Sequence, residues 1–154
     1  MKQFSAEIPK ITTGTDPQDL NDMLQELRIL LQGSQLLTAF LIVLPFNERF
    51  HAIIQAEKIV YVITFICALL SLVLFSMPAV FHRMKRPLAD RISFKNFSSR
   101  MMIFGLIPLT FALALATQLA ISEVIGELPG TIVSVFILLI IILVWWVLPF
   151  LKSE

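Results

Sequence analysis

Four stretches of this chain contain no Asp, Glu, Lys or Arg: Ile29 to Phe46, Ile59 to Phe81, Met101 to Ser122 and Thr131 to Leu151, of 18, 23, 22 and 21 residues. A helix needs about 20 mostly apolar residues to cross a hydrocarbon core roughly 30 Å thick, so each stretch is long enough to span a bilayer, the first only just. The runs are continuously apolar. Barrel strands alternate apolar and polar residues over about ten positions, so a membrane β-barrel is excluded. The pattern predicts an all-α fold: a polytopic bundle of four transmembrane helices forming one domain over residues 16–154, after a mobile tail at 1–15.

Polar positions refine the boundaries. Asp16 is placed to cap a helix that has Pro17 at its first position and Asp19 in its first turn, where the helix dipole favours an acid. Leu20, Leu24, Leu27 and Leu31 then recur at helical spacing, with Asp22, Gln25 and Glu26 on the other side. Only Gly33 interrupts the pattern. It predicts a cytoplasmic amphipathic helix continuous with the first span, about 28 residues and roughly 42 Å long as far as Leu44. Pro45 ends this span, and Asn47 is placed to cap a short outer interfacial helix with Phe46, Phe50, Ile53 and Ile54 on one face. Pro78 and Pro149 are expected to close the second and fourth spans, and Pro129 with Gly130 to form the turn between the third and fourth.

Composition strengthens the membrane reading: 57% of the 154 residues are apolar, 15% are charged and the mean hydropathy is +0.85. The single cysteine, Cys67, lies within the second apolar stretch, so no intramolecular disulfide and no cysteine metal cluster can form. The first residues lack an apolar run and a cleavage site, so no signal peptide is expected.

Basic residues sort unevenly among the connections, and the positive-inside rule reads that asymmetry. The segment from His82 to Arg100 holds Arg83, Lys85, Arg86, Arg91, Lys95 and Arg100 against one acid, Asp90. Placing it in the cytoplasm puts both termini inside and leaves ten basic residues inside against two, Arg49 and Lys58, outside. Anionic lipid headgroups are the expected partner of this basic segment, at roughly 1 kcal/mol per residue near the surface, in preference to nucleic acid. Asp19, Asp22 and Glu26, on the same side as Arg28 and the basic segment, are expected to pair with it.

Candidate chemistry is sparse. No acid lies within an apolar stretch, where an ionisable group marks a proton or cation carrier. His51 and His82 fall on opposite sides of the membrane and cannot share an ion within one chain, and no metal-ligand or phosphate-loop spacing occurs. No cofactor is predicted. The first span carries an uncharged polar cluster instead: Gln32, Ser34, Gln35 and Thr38. Gln32 and Gln35 are three apart on one side of the helix, and an amide in hydrocarbon requires a partner. The cluster therefore makes interhelical hydrogen bonds or, with Gln118 and an outer Glu123, lines a small pore. In the third span Gly105, Ala112, Ala116 and Ala120 form a stripe of small residues suited to close helix packing. Trp145 and Trp146 suit an interfacial anchor.

The run Leu24-Gln25-Glu26-Leu27-Arg28, then Gly33, Gln35, Ala39-Phe40-Leu41, Pro45-Phe46 with Arg49-Phe50, Tyr61, Pro78-Ala79 and His82-Arg83, resembles an uncharacterised family of small bacterial four-helix membrane proteins. The resemblance covers about Leu20 to Ile125 and is specific in the first two spans. It implies a bacterial inner-membrane protein. Some members of that family carry a sodium:proton antiporter label, which the lack of a carboxylate within the spans does not support. The expected function is non-enzymatic association, as an accessory subunit of a larger membrane complex or as a homo-oligomer. The alternative is a small channel or a cation/proton transporter with a pathway lined by the first-span polar residues.

Overall fold

The computed structural model describes residues 17–47, 50, 54–84 and 91–151, of which 17–20, 91 and 150 are described by backbone alone. The expected tail at 1–15, the Asp16 cap and most of the interfacial helix around 48–53 lie outside these residues. Four long helices make up the described chain: α1 (Pro17–Val43), α2 (Gln55–Met84), α3 (Arg91–Ile125) and α4 (Glu127–Ile142). A π turn (Leu143–Val147) and the short α5 (Leu148–Leu151) prolong α4. Together with the turns that prolong α1 and α4, the four long helices supply four segments long and apolar enough to cross a membrane: Asn21–Phe46, Gln55–Met84, Ile92–Ile125 and Glu127–Val147. Backbone groups have no other hydrogen-bond partner in hydrocarbon, which is why uninterrupted apolar runs become helices.

Boundaries differ from the sequence expectation in three places, each for a local reason. The basic segment between the second and third spans is mostly helix: α2 continues through Pro78 to Met84 and α3 begins at Arg91, leaving only residues 85–90 between them. At 30 and 35 residues, α2 and α3 are about 45 and 52 Å long, more than a hydrocarbon core requires. Gly126, with φ 100°, makes the turn between α3 and α4 by itself, and Pro129 and Gly130 fall in the first turns of α4. That left-handed φ suits a residue without Cβ. Pro149 does not end the fourth span; helix resumes in α5 after the π turn, in which the Leu148 N–H reaches the Leu143 carbonyl. Pro149 has no N–H to offer and its ring crowds the carbonyl four residues back, which favours a widened turn just before it. Pro45 behaves as expected, with α1 giving way to a 3₁₀ turn at Leu44–Phe46.

Each long helix packs antiparallel on its predecessor. The near end of the bundle holds the start of α1, the end of α2 and the start of α3; the far end holds the α3–α4 turn. The buried residues of α2 are Thr64, Ala68, Ser71, Phe75 and Pro78, at alternating steps of four and three. That is the spacing of knobs-into-holes packing between helices that cross at a small angle. Two core layers each draw one residue from three helices: Leu27, Phe75 and Leu109 toward the near end, and Leu41, Ala68 and Ala112 toward the far end. Helices α1, α2 and α3 therefore enclose a common core. Among the described residues the α4 backbone approaches α3 and neither α1 nor α2, so α4 flanks the three-helix core, and Trp145 in the π turn that prolongs it packs against the near-end layer of Leu27, Phe75 and Leu109.

Candidate functional site

Three places collect polar side chains, and the residues singled out from the sequence are divided among them. The first is a buried hydroxyl layer midway between the two apolar layers. Ser34 of α1 and Ser71 of α2, both fully buried, join their hydroxyls at 2.7 Å. Ser71 also donates to the Ala68 carbonyl at 2.8 Å, and Ser34 Oγ lies 3.4 Å from the same oxygen. Thr38 turns back on its own helix, donating to the Ser34 carbonyl at 2.8 Å, and Thr64 does the same to Val60 at 2.7 Å. Such back-bonding satisfies a buried hydroxyl without a partner helix. The layer is buried, and its serine pair joins α1 to α2. Sequence reasoning found Ser34 and Thr38 but missed Ser71, whose place in the four-three spacing of α2 was the available signal.

The second place is the outer surface of α1. Gln32 and Gln35 are exposed there, together with Arg28, Ile29, Leu36 and Ala39, and Gly33 has open space where a Cβ would stand. Thus the glutamines do not join Ser34 and Thr38 in the interior.

The third place is the far end. A cavity of about 280 Å³ opens between α1 and α3, with Glu57 of α2, Glu123 of α3 and Asn47 among its polar lining residues. A neighbouring cavity of about 140 Å³ on the α4 side shares Glu57 and adds Gln118 and Glu127. Tyr61 braces this end, donating from its hydroxyl to the Leu41 carbonyl at 2.9 Å and meeting the Phe50 ring edge-on at 4.9 Å between centroids. Gln118 and Glu123 are therefore near one another, but both are remote in the fold from Gln32. The residues named for a single pathway occupy separate places.

The small-residue stripe of α3 also divides. Gly105 and Ala112 are buried, with Phe75 packed over Gly105, whereas Ala116 and Ala120 line the larger cavity. A second close contact, unread in the sequence, joins α3 to α4. Gly130 sits against the Ser122 and Gln118 backbone, and buried Ser134 donates to the Ala114 carbonyl at 2.7 Å. At the near end Asp22, Glu26, Arg28 and Arg83 are exposed, and no ion pair joins them among the described residues; the side chains of Asp19, Lys85, Arg86 and Arg91 lie outside those residues. There Phe81 stacks near Phe94 and Phe97, at 6.1 and 4.8 Å between centroids. Ser98 is fully buried close by in sequence, with no hydrogen-bond partner for its hydroxyl among the described residues. No group of three His, Cys, Asp or Glu able to hold a metal ion occurs among the described residues.

These features define an all-α membrane protein: three helices around a core stitched by serine hydroxyls, a fourth helix on the flank, and four segments of membrane-spanning length. The chain belongs to a family of unknown function, DUF6328, which matches residues 16–149. Comparison with curated proteins gives no match, nor does comparison with solved structures.

Proposed function

We propose that the protein is a non-enzymatic integral membrane protein of the bacterial inner membrane that works by association, with both termini in the cytoplasm. The outer face of α1 is the contact surface. The carrying observation is the exposure of Gln32 and Gln35 on that face. Counted at 1.5 Å per residue from Phe46, Gln35 lies about 17 Å and Gln32 about 21 Å along the helix. Against a hydrocarbon core of roughly 30 Å, the first is near the midplane and the second in the inner third.

An amide moved into an environment without hydrogen bonds costs about 4 to 8 kcal/mol, so a lipid-facing pair at this depth is strongly disfavoured. A second protein surface supplies the missing partners, each interhelical bond contributing roughly 0.6 to 2 kcal/mol. The open space at Gly33 lets another helix approach closely. The partner is another membrane subunit or a second copy of this chain. The basic segment that holds Arg83, Lys85, Arg86 and Arg91 in the sequence, together with Arg28, is then suited to anionic headgroups at the cytoplasmic surface. Asp19, Asp22 and Glu26 occupy the same cytoplasmic surface.

Native mass spectrometry of the protein extracted from its own membrane in mild detergent tests the reading. The expected result is an assembly larger than the monomer that the Gln32→Leu/Gln35→Leu variant loses while keeping its helix content and melting temperature. A wild-type chain that is monomeric under all mild extraction conditions overturns it.

A further inference from the structure

We propose that the far-end cavity between α1 and α3 binds a small amphiphilic monocation: an ammonium head carried on an apolar body. The inference is independent of association through α1.

The cavity, of about 280 Å³, is close in size to ordinary small-molecule pockets. Its wall is built by Phe40 and Leu44 of α1 and by Ala120 of α3, whose short side chain leaves the space open. Among the described residues its charged lining is acidic: Glu57 and Glu123 contribute carboxylates, and none of the described Lys or Arg residues lines this cavity or its neighbour. Glu57 borders both cavities, and Glu127 adds a third carboxylate on the far side of the smaller one. The negative charge of the described lining favours a cation.

The kind of cation follows from the rest of the lining. Among the described residues the carboxylates do not form a group able to hold a metal ion. The site is broad, and Phe40 and Phe50 line it. An ammonium over an aromatic face is attracted by the ring quadrupole, and alkylated ammonium groups are ligands that aromatic linings recognise. A hydrated inorganic ion gains nothing from the apolar wall, whereas an apolar body attached to the ammonium buries itself there. The wall is held in place by the Tyr61 hydroxyl on the Leu41 carbonyl and by the Tyr61 ring on Phe50.

Isothermal titration of the full chain in dodecyl maltoside, an uncharged detergent, with benzyltrimethylammonium as probe tests the site. The expected result is saturable one-to-one binding, weakened at least tenfold by Glu57→Gln/Glu123→Gln and to a similar extent by Ala120→Leu, with benzyl alcohol giving no saturable heat. Ala120 is exposed, so filling its position removes the space without disturbing the core or the charge. Added phosphatidylethanolamine that competes with the probe assigns the natural occupant to a lipid headgroup; an unchanged isotherm assigns it to a free amine, and both outcomes support the site. Absence of saturable binding to the wild type, or binding untouched by both sets of variants, overturns the proposal.

Discussion

The ring of Phe75 lies so close over Gly105 that a Cβ built at position 105 stands 2.5 Å from its Cε1 and 2.8 Å from its Cδ1. Phe75 is fully buried in the layer with Leu27 and Leu109, so the ring has little room to yield. Gly105→Ala gains up to about 1 kcal/mol of intrinsic helix propensity but overpacks this layer, which costs roughly 1 to 3 kcal/mol. The expected net result is a lower melting temperature in detergent. Gly105→Ala/Phe75→Leu is expected to recover part of the loss, because the smaller side chain vacates the space.

The Ser34–Ser71 pair is suited to a double-mutant cycle. Each serine retains or loses a definable bond: in Ser34→Ala, Ser71 still donates to the Ala68 carbonyl. Single changes are expected to cost about 0.5 to 1.5 kcal/mol, with a coupling energy of about 0.5 kcal/mol or more measured from unfolding in mixed micelles. Strict additivity would show that the 2.7 Å contact contributes no stabilising interaction.

Ser98 predicts the opposite sign. Its hydroxyl is buried without a partner among the described residues, so Ser98→Ala removes an unsatisfied group at almost no change in volume. Stability is expected to rise by about 1 kcal/mol, read as a higher melting temperature. A fall would mean that the hydroxyl is bonded in the membrane-embedded protein.

Gly130 controls the attachment of α4. A Cβ there meets backbone rather than a flexible side chain, at 3.0 Å from the Ser122 nitrogen and 3.3 Å from the Gln118 carbonyl oxygen. Gly130→Val is expected to push α4 off α3 and break the bond from Ser134 to the Ala114 carbonyl. Because the α4 backbone approaches no other long helix among the described residues, and only Trp145 beyond it reaches the near-end layer, the α1–α2–α3 core is expected to persist. Limited proteolysis should then release the fourth helix while the remainder keeps its helix content; unchanged resistance of the whole chain would count against this division.

Much of the architecture can be read directly from the chain. Uninterrupted apolar runs have no backbone partners in hydrocarbon other than themselves, so four such runs dictate four helices wherever the neighbours lie. Continuity of α1 from Pro17 to Val43 follows likewise from helical spacing without an internal proline, and its end from Pro45. Prolines 78 and 149 were misleading as stop signals, because a helix packed on neighbours or widened by a π turn tolerates a missing N–H.

Which face of each helix turns inward was decided by the tertiary structure. Gln32, Ser34, Gln35 and Thr38 form one polar cluster in the sequence, yet the two hydroxyl residues are buried, Ser34 against Ser71 of α2, and the two amides face outward. Hydroxyls are small enough to fit between closely packed helices and to bond back to their own carbonyls, while amides are not. Gly105 and Ala120 likewise belong to one stripe, but one lies beneath a phenylalanine and the other lines a cavity. Composition and periodicity determined that the chain builds membrane-length helices. Their mutual rotation, set by which side chains interlock, decided where surfaces, cavities and carboxylates meet.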